Sequence, residues 1–214
     1  MFLATGPDHL GSATGPHPAR RLASRPATPG WRVHTLDDPD RPAVEAFIRE
    51  VYRRRFGAVV RRFMPVLIGV YEDGVLVAAA GYRLGSEPLF LERYLDRPVD
   101  ALLLAQGAVV PRDAIAEVGH LAATRGGEGR QLIRRLGPHL ARQNVQWVVS
   151  TLTQELHHLF ERMGVQPLPL GAARPERLGL EAADWGSYYE HEPQVFAGNL
   201  AQSLQRLGLG TVKA

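Results

Sequence analysis

Residues 114–142, Ala114 to Arg142, read AIAEVGHLAATRGGEGRQLIRRLGPHLAR, and this stretch decides the fold. Its first third is an apolar run interrupted by Glu117 and His120, the pattern of a buried strand with two acid–base groups. Gly126, Gly127 and Gly129 then break the chain beside Arg125. Leu132, Ile133, Leu136 and Leu140 follow at helical spacing. A strand, a glycine turn and a helix start place backbone N–H groups and a positive dipole end next to a carboxylate and an imidazole. Such a helix start is a natural anion site, so a phosphate-bearing ligand is expected here. The helix is expected to bend at Gly137-Pro138.

Upstream, residues 66–71 and 75–81 are two apolar runs around Glu72-Asp73-Gly74, a hairpin signal, and their near-continuous apolar character predicts cover on both faces. Val44, Phe47, Ile48, Val51 and Tyr52 mark a helix, preceded by a short strand near residues 30–36. Residues 88–106 read as helix in two pieces split at Pro98. Downstream, residues 146–152 are a strand, and Thr153 caps a helix carrying Leu156, Leu159, Phe160 and Met163. Residues 165–170, with Pro167 and Pro169, fit only an edge strand. Residues 185–189 are a last strand candidate, and a closing helix runs from about Leu200 to Leu207. A hairpin followed by alternating strands and helices predicts an α/β fold, a mixed sheet with helices on both faces. Residues 1–29, rich in Gly, Pro, Ala, Ser and Thr, are expected to be a disordered extension, and 30–214 a single domain.

The chain of 214 residues is 45% hydrophobic and 22% charged, ordinary for a globular protein. It has no cysteine, which excludes disulfides, thiol nucleophiles and Cys-ligated zinc. No metal site is expected from the adjoining His157 and His158, and Ser187 has no triad spacing around it. No apolar run reaches the roughly 18–20 residues of a spanning helix, and no secretory signal is evident. A cytoplasmic location is therefore expected, with membrane association left open. The net charge of +3 is carried almost wholly by arginine. Residues 41–62 hold seven Arg against Glu45 and Glu50, and residues 125–142 hold five against Glu128. Arginine forks suit phosphates and carboxylates. Basicity alone gives no reason to expect nucleic acid as a partner.

The element order resembles the GCN5-related N-acetyltransferase (GNAT) fold, in which a central strand splays from its neighbour and the following turn cradles a pyrophosphate. That family's Gln/Arg-x-x-Gly-x-Gly/Ala turn is matched here by Thr124-Arg125-Gly126-Gly127-Glu128-Gly129. Gly127 and Gly129 hold the glycine positions, Thr124 stands where Gln or Arg belongs, and Glu128 adds a negative charge. These departures point away from acetyl-CoA and toward a longer acyl thioester. Arg125, Gly127, Gly129 and Arg130 are the expected donor-binding residues.

A more specific resemblance covers residues 47 to about 207. Phe63-Met64-Pro65, the run from Leu89 to Asp96, the run from Glu117 to Ala122, Trp185-Gly186-Ser187-Tyr188-Tyr189 and Pro193 through Leu200 are similar to segments of the thermostable hemolysin family, in the same order. That family in turn resembles acyl-homoserine-lactone synthases. Gly81-Tyr82-Arg83-Leu84 is similar to their Gly-x-x-Arg-Leu strand end, and Glu117-Val118-Gly119-His120 to their Glu-x-Ser-Arg strand. The paired acids that serve S-adenosylmethionine in the synthases have no counterpart near Phe63-Met64-Pro65.

The resemblance implies transfer of an acyl chain from acyl-CoA, or from a phosphopantetheine thioester on acyl carrier protein, to a small amine. A membrane-active hemolysin and a non-catalytic acyl-ligand binder stand as alternatives. Glu117 and His120 are the candidate bases, and Tyr188 or Tyr189 the donor of a proton to the leaving thiolate. Arg83, Glu92, Trp185 and Tyr189 are the candidate acceptor-binding residues. An arginine ending a buried strand should meet a carboxylate: Glu117, Glu92 or a substrate. Strand alternation puts Glu117 and His120 on opposite faces. They can share a face only if the strand bulges, and Gly119 is the expected place.

Overall fold

The computed structural model describes residues 30–210; the N-terminal stretch expected to be disordered lies outside the described residues. Seven strands form one sheet: β1 (Gly30–His34), β2 (Val66–Glu72), β3 (Val75–Leu84), β4 (Ile115–Ala123), β5 (Trp147–Leu152), β6 (Leu168–Ala172) and β7 (Gln194–Asn199). Their order is β1-β2-β3-β4-β5-β7-β6. The hairpin turn at Asp73 (φ 49°) and Gly74 (φ 81°) takes two left-handed residues, which suits the twist of β2 and β3. Helices α3 (Gly126–Ala141) and α5 (Leu200–Arg206) cover one face, burying Leu132, Leu136, Leu140 and Leu204 against Ile68, Ala80 and Val118. The other face packs under α1 (Arg41–Phe56), α2 (Val99–Ala105) and two 3-10 segments, Phe90–Tyr94 and Pro175–His191. Helix α4 (Gln154–Arg162) follows β5, its N-terminus capped by Thr153, whose Oγ1 accepts the Leu156 N–H.

One seam is unlike the others. β4 and β5 are parallel, and their pairing consists of Ile115↔Trp147, Ala116↔Val148 and Glu117↔Val149. Beyond it, β4 stays with β3 as far as Ala78↔Ala123, while β5 stays with β7 through Leu152↔Gln194. The sheet thus divides into two antiparallel halves that part at Glu117, the splay expected of an acetyltransferase-like fold.

β4 also bulges. Ala79 pairs with Ala122 and Gly81 with Gly119, so His120 and Leu121 together face Ala80. His120 takes the left-handed conformation, φ 52°. The extra residue resets the alternation. Leu121 and Ala123 join the α3 core, while His120 and Ala122 turn toward α1. Gly119 is not the left-handed residue: a Cβ there would lie 2.8 Å from Met64 Cε, so its smallness serves packing.

Two local expectations are corrected. Residues 185–189 are not a strand but part of the Pro175–His191 segment, where Gly186 sits at φ 54°, ψ −128°. A Cβ on Gly186 would lie 2.0 Å from the Phe56 carbonyl oxygen, so this residue both turns the chain and lets it meet the end of α1. The last strand is instead β7, placed between β5 and β6. Helix α3 includes Pro138 within its length, and Gly137 beside it admits Leu204 of α5, whose Cδ2 would be 2.9 Å from an added Cβ.

Arg41 is 5% exposed and fastens this architecture. Its guanidinium donates to the carbonyls of Met64 (2.7 Å), Pro65 (2.8 Å) and His34 (3.3 Å) and to Glu45 Oε1 (2.9 Å). It thereby joins β1, α1 and the entry to β2. Arg41→Met should lower stability by about 3 kcal/mol in urea denaturation, because several buried acceptors lose their donor at once. Gly186→Ala should lower it by about 2 kcal/mol or more, through positive-φ strain and collision with the Phe56 carbonyl.

Candidate active site

Where β4 and β5 part, a cleft of about 840 Å³ opens on the α1 side. Glu117 lies at the point of separation, 4% exposed. Its Oε2 accepts the Phe90 N–H at 2.7 Å and its Oε1 the Leu91 N–H at 3.1 Å. These are orphan donors at the start of a 3-10 turn, which require an acceptor. Arg83, its partner across the β3–β4 register, places Nε 3.5 Å from Oε2. Burial pushes the Glu117 carboxyl up to about 7, against the opposing pull of Arg83 and the two N–H groups. At neutral pH it therefore stands poised between acid and base.

His120 reaches the same cleft because of the bulge, with its ring against Phe63 and Tyr52. Burial and, secondarily, the Arg83 charge bring its pKa down to about 4, so the ring is neutral at physiological pH. Its Nδ1 is buried without a hydrogen-bond partner. Glu117 and His120 share a face and a cavity; no hydrogen bond joins them directly among the described residues.

Tyr188 stands across the gap. Its hydroxyl donates to the Thr151 carbonyl at 3.4 Å, on the stretch of β5 that has left β4. Burial, with Tyr52 and Tyr189 nearby, raises it well above the usual phenol range, which keeps its proton in place. Trp185 lines the cleft between Tyr52, Phe90 and Tyr188. Tyr189 is not on the cleft wall; its hydroxyl pairs with that of Tyr94 at 2.9 Å.

Glu92 is also drawn away from the cleft. Both of its oxygens engage Arg112, and Oε1 accepts the Val99 N–H at 2.8 Å at the start of α2. A carboxylate at a helix N-terminus paired with arginine is satisfied without a ligand.

At one end of the cleft lies the N-terminus of α3, where Arg125, Gly129 and Arg130, the residues expected to bind a donor, form the rim. Gly127 does not line it, although a Cβ there would meet nothing within 4 Å. Glu128 does not project into the loop: it is buried, accepting the Arg125 N–H at 2.6 Å and the Thr124 hydroxyl. Its charge caps the helix and occupies one N–H that an anion would otherwise use.

The two arginine clusters differ. Arg41, Arg49, Arg53, Arg54, Arg55, Arg61 and Arg62 all have acidic partners. Among the described residues, none of Arg125, Arg130, Arg134, Arg135 and Arg142 forms an ion pair within 4.0 Å, so this second cluster is the one open to an anionic partner.

A smaller apolar cavity, about 90 Å³, lies on the α3 side of the same parting. Val118, Leu121 and Ile133 line both spaces, and Leu140, Phe160 and Phe196 close the smaller one. Among the described residues no group of three or more His, Cys, Asp and Glu side chains is placed to hold a metal. Sequence reasoning missed the Phe90 and Leu91 N–H groups and the aromatic wall of Tyr52 and Phe63. The first was signalled only by the need of any helical start for an acceptor.

The fold has counterparts among solved structures. TofI, crystallised with an inhibitor and MTA, is 18% identical with a TM-score of 0.59, the match covering 85% of this chain and 97% of that chain. The AHL synthase LasI is 14% identical with a TM-score of 0.61, over 86% and 96%. FeeM, an N-acyl amino acid synthase from uncultured soil microbes, is 15% identical with a TM-score of 0.56, over 83% and 96%. At such identities the likeness is one of fold, an acetyltransferase-like mixed sheet flanked by helices. No curated protein matches the sequence. Residues 34–204, from the end of β1 into α5, match the thermostable hemolysin family, and the chain belongs to it.

Proposed function

We propose that residues 30–214 act as one acyltransferase domain that moves an acyl chain from acyl-CoA or an acyl carrier protein thioester to the amine of a small acceptor. The observation that carries this reading is the parting of β4 from β5 at a buried carboxylate whose pKa stands near 7. The shared fold of the AHL synthase LasI and the N-acyl amino acid synthase FeeM supports it.

The thioester enters between the strands, its pantetheine arm against the open edge of β4 and its phosphates toward Arg125, Arg130 and the first N–H groups of α3. The acyl tail follows Val118, Leu121 and Ile133 toward the smaller apolar cavity. The acceptor approaches from the aromatic side, along Trp185. Glu117, directly or through one water, removes a proton as the amine nitrogen bonds to the carbonyl carbon. Unpaired β4 backbone N–H groups stabilise the developing oxyanion. Neutral His120 accepts a hydrogen bond from the acceptor or that water, and Tyr188, held protonated, returns a proton to the departing thiolate. The membrane-lytic alternative gains no support from the helices, since none among the described residues is long and apolar enough to cross a bilayer.

The test is thiol release from acyl-CoA and acyl carrier thioesters with a panel of amines. Turnover that falls by about 10²–10⁴-fold in Glu117→Gln supports a general base at this position. Binding of donor without turnover points to the ligand-binding alternative, and liposome lysis by Glu117→Gln to the lytic one. A base must be deprotonated, so the rate should rise with pH through about 7 and level above it, and this limb should vanish in Glu117→Gln. Arg125→Ala combined with Arg130→Ala should raise the donor KM about tenfold, and more steeply at low salt, while leaving the acceptor KM in place.

A further inference from the structure

We propose that the acceptor is a small α-amino acid, its carboxylate held by Arg83 and its amine presented to Glu117. This rests on the acyl-transfer reading and names the substrate class of its second half.

Arg83 lines the cleft on the residue directly opposite Glu117. One of its N–H groups donates to the Pro88 carbonyl at 3.2 Å. Its Nε is buried and makes no hydrogen bond, since the Glu117 oxygen at 3.5 Å is already taken by the Phe90 N–H and stands too far for a good bond. A guanidinium offers five donors in a rigid fork matched to a carboxylate. On the exposed rim of the cleft, by contrast, Arg61 and Arg62 each hold a carboxylate, Asp184 and Glu181, at 2.7 Å. Arg83, 23% exposed and only loosely paired with Glu117, therefore keeps hydrogen-bonding capacity on the cleft wall.

The second condition is proximity. Glu117 and Arg83 set a proton acceptor and a carboxylate receptor side by side on neighbouring strands, and an α-amino acid carries its amine and carboxylate on one carbon. A single small zwitterion can meet both. An amine lacking the carboxylate would exclude water from Arg83 and leave its buried donors unmet.

The chemistry balances without a further reactant. The zwitterion's ammonium first gives one proton to Glu117, which passes it to solvent. The neutral amine nitrogen then bonds to the acyl carbonyl carbon, and the C–S bond breaks with its electron pair leaving on sulfur. The second N–H proton, taken up by Glu117, balances the one that Tyr188 gives the thiolate. The products are an N-acyl amino acid, a free thiol and one released proton.

The experiment compares amino acids with their own carboxamides as acceptors, using long-chain acyl-CoA and acyl carrier protein thioesters as donors and a thiol-reactive dye. The chain has no cysteine, so the dye reads released thiol alone. The wild type should prefer each amino acid over its amide by about tenfold or more in kcat/KM. In Arg83→Gln that ratio should collapse toward one, and Arg83→Lys, which keeps charge but not the fork, should fall between. A purely structural Arg83 would depress both acceptors equally and leave the ratio unchanged, which overturns the assignment. Wild-type turnover with amides as good as with amino acids overturns it too, while leaving acyl transfer standing; this comparison decides the matter even if the variants do not fold. Absence of thiol release with every acceptor overturns the acyl-transfer reading itself.

Discussion

The structure depends on how early β4 and β5 stop pairing. Their ladder ends at Glu117↔Val149, and each strand then follows its antiparallel neighbour away from the other. A sheet that opens in its middle must fill the gap or expose it. Here one side of the opening is a cleft with ionisable groups, and the other is a small apolar cavity closed by α3, α4 and α5. Glu117 can stay buried at the vertex because two orphan N–H groups from residues 90 and 91 converge on it. The carboxylate satisfies the turn and the turn holds the carboxylate, so neither can be removed alone without leaving a buried polar group unmet.

Much of the fold was legible in the sequence. The Asp73-Gly74 turn, the helical spacing in α1 and α3 and the glycines after Ala123 each have a local physical cause, and local causes are what periodicity reports. Less legible were features decided by contacts distant in the chain. Gly119 invited the reading of a bulge, but the bulge falls on His120, and the glycine answers to Met64, which packs directly against it. Gly186 sits in a run that reads as strand until the Phe56 carbonyl is placed against it. β7 was missed as a strand because Val195, Phe196 and Ala197 are buried in succession, which leaves no alternation to read.

The candidate site shows the same division. Glu117, His120, Tyr188, Trp185 and Arg83 meet in one cleft, as do Arg125, Gly129 and Arg130 at its rim. Glu92 and Tyr189 do not, since each has found a protein partner, Arg112 for one and Tyr94 for the other. Sequence can mark a polar residue in an apolar context, but only structure tells whether its partner is another residue or is absent. Glu128 makes the point in reverse: a charge that looked hostile to an anion is folded back as a helix cap.

The cleft wall is held by surface charge as well as by packing. Arg61 pairs with Asp184, while Arg62 and Arg93 share Glu181, so the segment after α1 is tied to Pro175–His191 by a small network. Isolated exposed pairs contribute little at room temperature. Their desolvation penalty falls on heating, whereas dissolved ions weaken them at any temperature. The mouth of the cleft therefore keeps its shape on warming better than an equivalent wall fastened by hydrogen bonds alone, and concentrated brine loosens it more than heat does.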